Sequence, residues 1–179
     1  LINYTFEQIK KSKLEIRDCY IVSDDHRVKK YAKKFGANTD YIRPKYLSKD
    51  TTLFKENLFH FYDWTIKKKI FFDYVIILQP TSPLRKHYDI NKSIALATKN
   101  KPKSLISLSE SCEHPLENIY VKKNKINFFM NNKDIVRRQD FQNKSYFVNG
   151  AIFIISRKNL EKKLYINYKE TDYFFMDKI

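Results

Sequence analysis

Tyr74-Val75-Ile76-Ile77-Leu78-Gln79-Pro80-Thr81-Ser82-Pro83-Leu84-Arg85 is the stretch that decides how this chain folds. It opens with an unbroken apolar run rich in β-branched residues, and prolines close that run. A short apolar run bounded in this way predicts a buried central strand. The polar cluster after it then falls at the carboxyl edge of the strands, where open α/β sheets take their ligands. Pro80 and Pro83 fix their own φ and bias Gln79 and Ser82 towards extended backbone. The loop is stiff and presents an amide, two hydroxyls and a guanidinium. Gln79, at the strand end, is read as facing a ligand. Arg85 is read as structural, tying the loop to neighbouring backbone.

Working outward, Ile2, Phe6 and Ile9 sit at helical spacing and predict a helix over 2–13. A strand is expected over 18–23, ended by Ser23-Asp24-Asp25, a helix N-cap signature. Val28, Tyr31, Ala32 and Phe35 give the next helix its apolar face, and Gly36 stops it. A short strand follows at 38–42. Asp50-Thr51-Thr52 is expected to cap a longer helix carrying Phe54, Leu58, Phe61, Tyr62 and Ile66. The strand over 72–78 is followed by a helix over 87–98, then by a strand over 103–109. From 111 to 148 the pattern breaks into short β-prone pieces joined by Asn/Lys turns, which reads as an inserted hairpin region. A buried strand over 149–156, a helix over 157–164 and a strand over 173–176 complete the order. Strands alternating with helices predict one α/β domain over 1–179, doubly wound about a mostly parallel sheet.

The chain has 179 residues, is 42% hydrophobic and 16% aromatic, and so can bury a sizeable core. No apolar run reaches the roughly 18–20 residues that a membrane span needs, and no signal peptide opens the chain. Cys19 and Cys112 offer neither a disulfide framework nor metal-ligand spacing, so the cytoplasm is the expected compartment and no metal site is assigned. The formal net charge of +15 raises nucleic acid as a partner. Against that, the lysines are scattered over every segment rather than gathered in a stripe, which reads as solvated surface.

The ordered pieces Val22-Ser23-Asp24-Asp25, Arg43-Pro44, Asp50-Thr51-Thr52, Gln79-Pro80-Thr81-Ser82-Pro83-Leu84-Arg85, His114-Pro115-Leu116, Arg137-Arg138-Gln139 and Asn149-Gly150-Ala151-Ile152 together resemble the acylneuraminate cytidylyltransferases, the CMP-sialic acid synthetases and their relatives. The resemblance covers essentially the whole chain. It implies a fold like that of the nucleotide-diphospho-sugar transferases, and a reaction joining CTP to a 2-keto-3-deoxy sugar acid with release of pyrophosphate. Magnesium is the implied cofactor, and a homodimer joined through 111–148 the implied assembly, without nucleic acid or membrane. By resemblance Arg43, Asp50, Thr51 and Thr52 face the cytidine nucleotide, and Gln79, Arg138 and Asn149 face the sugar acid. An arginine can grip a carboxylate with two parallel hydrogen bonds, and amides can read sugar hydroxyls. Asp24 and Asp25 are read as helix caps, and His26, His60, His87 and His114 as surface, packing or loop residues.

The family's opening strand with its glycine- and basic-rich loop, and an Asp-x-Asp pair beyond the final strand that helps hold magnesium, have no counterpart in these residues. The expectation is therefore a fragment whose 179 residues do not turn over alone; CMP-sugar formed by the isolated chain with CTP and magnesium would refute it. Glu117 and Phe153 depart from patterns seen in some members, which weakens sialic acid as the substrate and leaves legionaminic and pseudaminic acid types open. Three other readings stay open: another nucleotidyltransferase or nucleotide-sugar glycosyltransferase on a similar sheet, a non-catalytic binding remnant, and a basic nucleic-acid-binding module.

Overall fold

A computed structural model of the chain describes residues 1–129 and 143–176. Its helices are α1 (Ile2–Lys11), α2 (His26–Lys34), α3 (Phe54–Lys67), α4 (His87–Asn100) and the short α5 (Arg157–Glu161). The strands are β1 (Tyr74–Ile77), β2 (Ser104–Glu110), β3 (Ile119–Lys122), β4 (Lys125–Phe128), β5 (Tyr146–Ser156) and β6 (Thr171–Phe175). Strands β1, β5, β2 and β6 lie in that order in one sheet. β5 runs antiparallel to both β1 and β2, and β6 runs parallel to β2. Hence β1, β2 and β6 share one direction, with β5 reversed between β1 and β2.

Helices cover both faces, because the strands are apolar on both. Tyr74, Ile76 and Leu78 pack with Phe6 and Ile9 of α1 and Ile90 and Ala97 of α4. Val75 and Ile77 point the other way, into a second cluster with Leu58 and Tyr62 of α3, Ile155 and Leu160. This two-sided burial is why the sequence reads Val-Ile-Ile instead of alternating with polar residues. The mixed α/β class expected from the sequence is the one observed.

Four details differ from expectation. β1 is not central: it lies at the edge of the described sheet, and its residues are half-buried. An apolar run reports covered faces and says nothing about whether both backbone edges are paired. The expected strands over 18–23 and 38–42 are reduced to one parallel bridge between Tyr20 and Asn38. Asp25 does cap α2, accepting from the Arg27 N–H at 2.7 Å, but Asp24 does not; its carboxylate pairs with Arg43. The Asp50-Thr51-Thr52 turn ends short of α3, whose N-cap is Leu53, and the Glu56 carboxylate accepts from the Leu53 N–H at 2.9 Å.

The inserted hairpin is present as β3 and β4, turning through Lys123 and Asn124 at φ +50° and +57°. Two successive positive φ values give a tight hairpin turn whose twist matches the strands, and asparagine tolerates that region well.

Tyr41 anchors the wall formed by α3. Its side chain is fully buried, its hydroxyl lies 2.9 Å from His60 Nδ1, and its ring meets those of Phe61 and Trp64 edge-on. Burial pushes its phenol up from 10.0 to about 12. Folding therefore favours the neutral phenol, and that contribution is complete below pH 10 and lost as pH rises through about 12. Tyr41→Phe is expected to cost about 1 kcal/mol at pH 7. Urea unfolding of both proteins should show this gap narrowing as pH climbs from about 10 to about 12; a gap that stays constant across that range would contradict the assignment.

Candidate functional site

The outer edge of β1 borders a cavity of about 930 Å³. Ile21 and Val22 face it from the segment before α2, Phe54, Leu58 and Phe61 from α3, and Phe6 and Ile9 from α1. The lining is mainly apolar, with polar groups contributed by Ser23, Arg43, Asn57 and Gln79. Pockets for small molecules are commonly built in this way, apolar walls carrying a few placed polar groups. Arg43 and Gln79, candidates for opposite halves of a two-substrate site, line the same hollow.

Arg43 follows the bridged Asn38 and is held by its ion pair to Asp24. The Arg43 guanidinium, by hydrogen bonding, holds the Asp24 carboxyl below the usual carboxylate range. That pair orients the guanidinium yet leaves Arg43 Nε buried without a partner, and Asn57 Oδ1 is a second buried polar atom with none. One is a donor and the other an acceptor, and both residues line the cavity. Asn57 was not singled out from the sequence, although a signal was there. It sits on the apolar stripe of α3 between Phe54 and Phe61, where a polar side chain needs a reason. Asp50 and Thr51 are exposed, Thr52 is half-buried, and the cavity lining does not include them.

Gln79 follows β1, and its carbonyl accepts from Ser82 N–H at 3.3 Å and from Arg85 Nη1 at 3.1 Å. Its side chain lies over Gly150: a Cβ there would stand 3.2 Å from Gln79 Oε1, and Gly150 has φ +70°. The positive φ calls for glycine, and an added Cβ would also have to displace the Gln79 amide by a few tenths of an ångström. Asn149, the next candidate, is engaged on every polar atom. Its Oδ1 accepts from Ser107 Oγ at 2.5 Å and from Ala151 N–H at 3.0 Å. Its Nδ2 donates to Ser109 Oγ at 2.8 Å and to Met176 Sδ at 3.4 Å. An amide has two acceptor positions and two donor hydrogens, so this network uses all four. Ser107, fully buried, is the member that the sequence reading passed over; a serine amid Leu105, Ile106 and Leu108 was its only mark.

Arg85 is tied to backbone as expected: besides Gln79, it donates through Nη1 to the Ala151 carbonyl at 2.7 Å, and through Nη2 to Thr5 Oγ1 at 2.9 Å. Arg138 lies outside the described residues. His114 closes a loop, its Nδ1 accepting from the Leu116 N–H and its Nε2 lying 3.2 Å from the Asn143 carbonyl. Phe153 is buried on β5 and stacks near Phe54 at 6.5 Å and Tyr165 at 6.4 Å between ring centres.

A sequence profile of the family described as cytidylyltransferase matches residues 1–178. The chain belongs to the cytidylyltransferase family. Among the relatives of this cytidylyltransferase, post-translational flagellin modification protein B of Campylobacter coli is 28% identical over 182 residues, 99% of this chain and 75% of that protein. The CMP-N,N'-diacetyllegionaminic acid synthase of Legionella pneumophila is 26% identical over 148 residues, 78% of this chain and 60% of that protein. A solved CMP:2-keto-3-deoxy-manno-octonic acid synthetase, complexed with CTP, shares the fold. Its TM-score is 0.64 at 13% identity, over 99% of this chain and 79% of that one. The cytidylyltransferase therefore spans three quarters of one named relative's length and 60% of the other's.

Among the described residues no group of three or more His, Cys, Asp or Glu side chains is placed to hold a metal ion. No helix among them is long and apolar enough to cross a membrane.

The hydrogen bonding separates a bracing amide from a presented one. Asn149→Ala removes the acceptor of the buried Ala151 N–H, while Ser107 Oγ keeps its bonds to the Ile152 backbone, and is expected to cost about 1–3 kcal/mol of stability. Gln79→Ala, at a cavity wall, is expected to stay within about 0.5 kcal/mol of the parent. Denaturant unfolding of both variants checks this, and equal losses would show that the two amides do the same job.

Proposed function

We propose that this chain binds CTP and a nonulosonic acid in the cavity beside β1, as the substrate-binding body of a CMP-sugar synthetase. The observation that carries this reading is the meeting of Arg43 and Gln79 on one cavity, which runs along β1 to the residues that follow it. In the proposed reaction the anomeric 2-hydroxyl of the acid sugar attacks the α-phosphorus of CTP. An oxygen–phosphorus bond forms, the bond to the β-phosphate oxygen breaks, pyrophosphate leaves, and the hydroxyl proton is released. The chain's own contribution is to hold the hydroxyl and phosphorus close and in line.

Arg43 takes the cytidine side, oriented by Asp24, with Asn57 added to the set. Its free Nε donor and the Asn57 acceptor complement a pyrimidine edge that carries both acceptors and a donor. Asp50, Thr51 and Thr52 are assigned to the rim of this side. Gln79 and Arg138 take the sugar acid, the arginine for its carboxylate. Asn149 serves the same side indirectly, by holding the Gly150 backbone beneath Gln79. No part of the step is assigned to magnesium on the described residues. A legionaminic acid type of substrate is favoured by the named synthase of Legionella pneumophila. An enzyme drawing on CTP would work in the cytoplasm.

The assembly proposed is a homodimer. Val121 and Ile126 on the hairpin and Phe129 beyond it are each 68% exposed, and Phe147 and Tyr173 lie open on β5 and β6. An isolated two-stranded hairpin is marginal in water, and contiguous exposed apolar surface marks an interaction face.

Two measurements test these readings. Calorimetric titration should show CTP binding at least about tenfold tighter than UTP, and Arg43→Ala should remove most of that preference, a loss of about 1.4 kcal/mol; equal affinity for the two nucleotides would refute the assignment. Sedimentation at micromolar concentration should give a dimer that Val121→Glu converts to monomer, whereas a monomeric parent would remove the dimer.

A further inference from the structure

The ladder between β1 and β5 ends at the pair Ile77 and Phe153. Carried on in register, the next partners would be Leu78 with Ile152 and Gln79 with Ala151, but the ladder goes no further. The strands part here, and the gap is spanned by a side chain. Arg85 Nη1 donates to the carbonyls of Gln79 and Ala151 together, at 3.1 Å and 2.7 Å, while Nη2 fixes the same guanidinium to Thr5 on α1. The side chain is 2% exposed.

Stability alone is a poor reason for such a group. Burying a guanidinium costs several kcal/mol, and well-packed apolar residues of like volume often do as well or better. Its Nε is buried without a partner, a further cost. What the arginine supplies that a leucine cannot is a fixed separation between two diverging strands. Gln79 rides on one arm of that fork, and Gly150, which its side chain crosses, is next to Ala151 on the other.

We propose that Arg85 is a positioning residue for the acid-sugar side of the site: it splints the fork between β1 and β5 and so holds the Gln79 amide across Gly150. This deepens the functional reading above and rests on it for the ligand. The guanidinium touches no substrate. It acts through Gln79, and it leaves the Arg43 side of the cavity alone.

The test uses the whole chain with Arg85→Lys, Gln79→Ala and the double variant. A lysine keeps the charge but cannot bond the two carbonyls and Thr5 in one plane. Titration with N,N'-diacetyllegionaminic acid is expected to show Arg85→Lys weakening binding about tenfold, as for loss of hydrogen bonds to a charged group, with CTP affinity unchanged within about twofold. In the Gln79→Ala background, Arg85→Lys should add nothing, because the residue it positions is gone. Multiplying losses, or equal weakening of CTP and the acid, would overturn the proposal. The side-chain amide resonance of Gln79, read without ligand, gives an independent measure: a single sharp pair in the parent and broadened or doubled signals in Arg85→Lys. An unchanged pair would also overturn it. If the acid does not bind the parent chain, the substrate assignment fails and the amide resonance still decides the role of Arg85. Should Arg85→Lys not fold, Thr5→Val replaces it in the same spectrum, with broadening expected and an unchanged Gln79 signal counting against the splint.

Discussion

Strand β5 constrains everything else in this chain. From Ala151 to Ser156 it is buried without interruption, and it separates β1 from β2 while running against both. A strand with covered faces and two paired edges cannot shift register without moving both neighbours. Its inner half therefore fixes where β1 ends and Gln79 begins. Its outer half, from Tyr146, leaves the core and exposes the aromatic residues Tyr146 and Phe147. Core, site and exposed apolar surface are laid out along one strand.

The site lies where that regularity stops. Pairing between β1 and β5 ends, glycine takes a left-handed conformation, and side-chain hydrogen bonds replace the backbone ladder. The polar groups there divide by whether their capacity is used up. Asn149 is saturated by Ser107, Ser109, Met176 and the Ala151 backbone, so it stiffens the scaffold. Arg43 Nε and Asn57 Oδ1 are buried with capacity left over, and both residues face the cavity. Buried polar atoms are nearly always satisfied in folded proteins, so an unpaired donor and acceptor on one cavity identify the surface where a ligand has most to offer.

The lysine-rich composition looks different in this setting. Several lysines serve the backbone or other side chains: Lys29 Nζ donates to the carbonyl of Thr39 at 3.1 Å, and Lys103 pairs with Glu170 at 2.5 Å. Lys101 takes the left-handed conformation that ends α4. Their work is local, at helix ends and strand edges. The positive charge most pertinent to the site is on arginines, Arg43 and Arg85, each held by partners that a flexible ammonium could not match in geometry.

By itself the sequence determined the α/β class, the order of the helices and of the strands from β1 onward, a hairpin within 111–148, the proline loop, and Arg85 as a backbone tie. Each of these is encoded locally, in apolar spacing, turn chemistry or a short motif, and the ordered motifs also carried the family. Only the tertiary structure decided that β1 lies at the edge of the described sheet, that Asp24 belongs to Arg43 and not to a helix cap, that Asn149 is fully engaged, and that Asn57 and Ser107 matter. These depend on contacts between segments far apart in the chain, such as Ser107 with Asn149, and on which polar atoms remain unpaired after packing. Periodicity reports which faces of an element are buried; it carries no record of which distant group meets them.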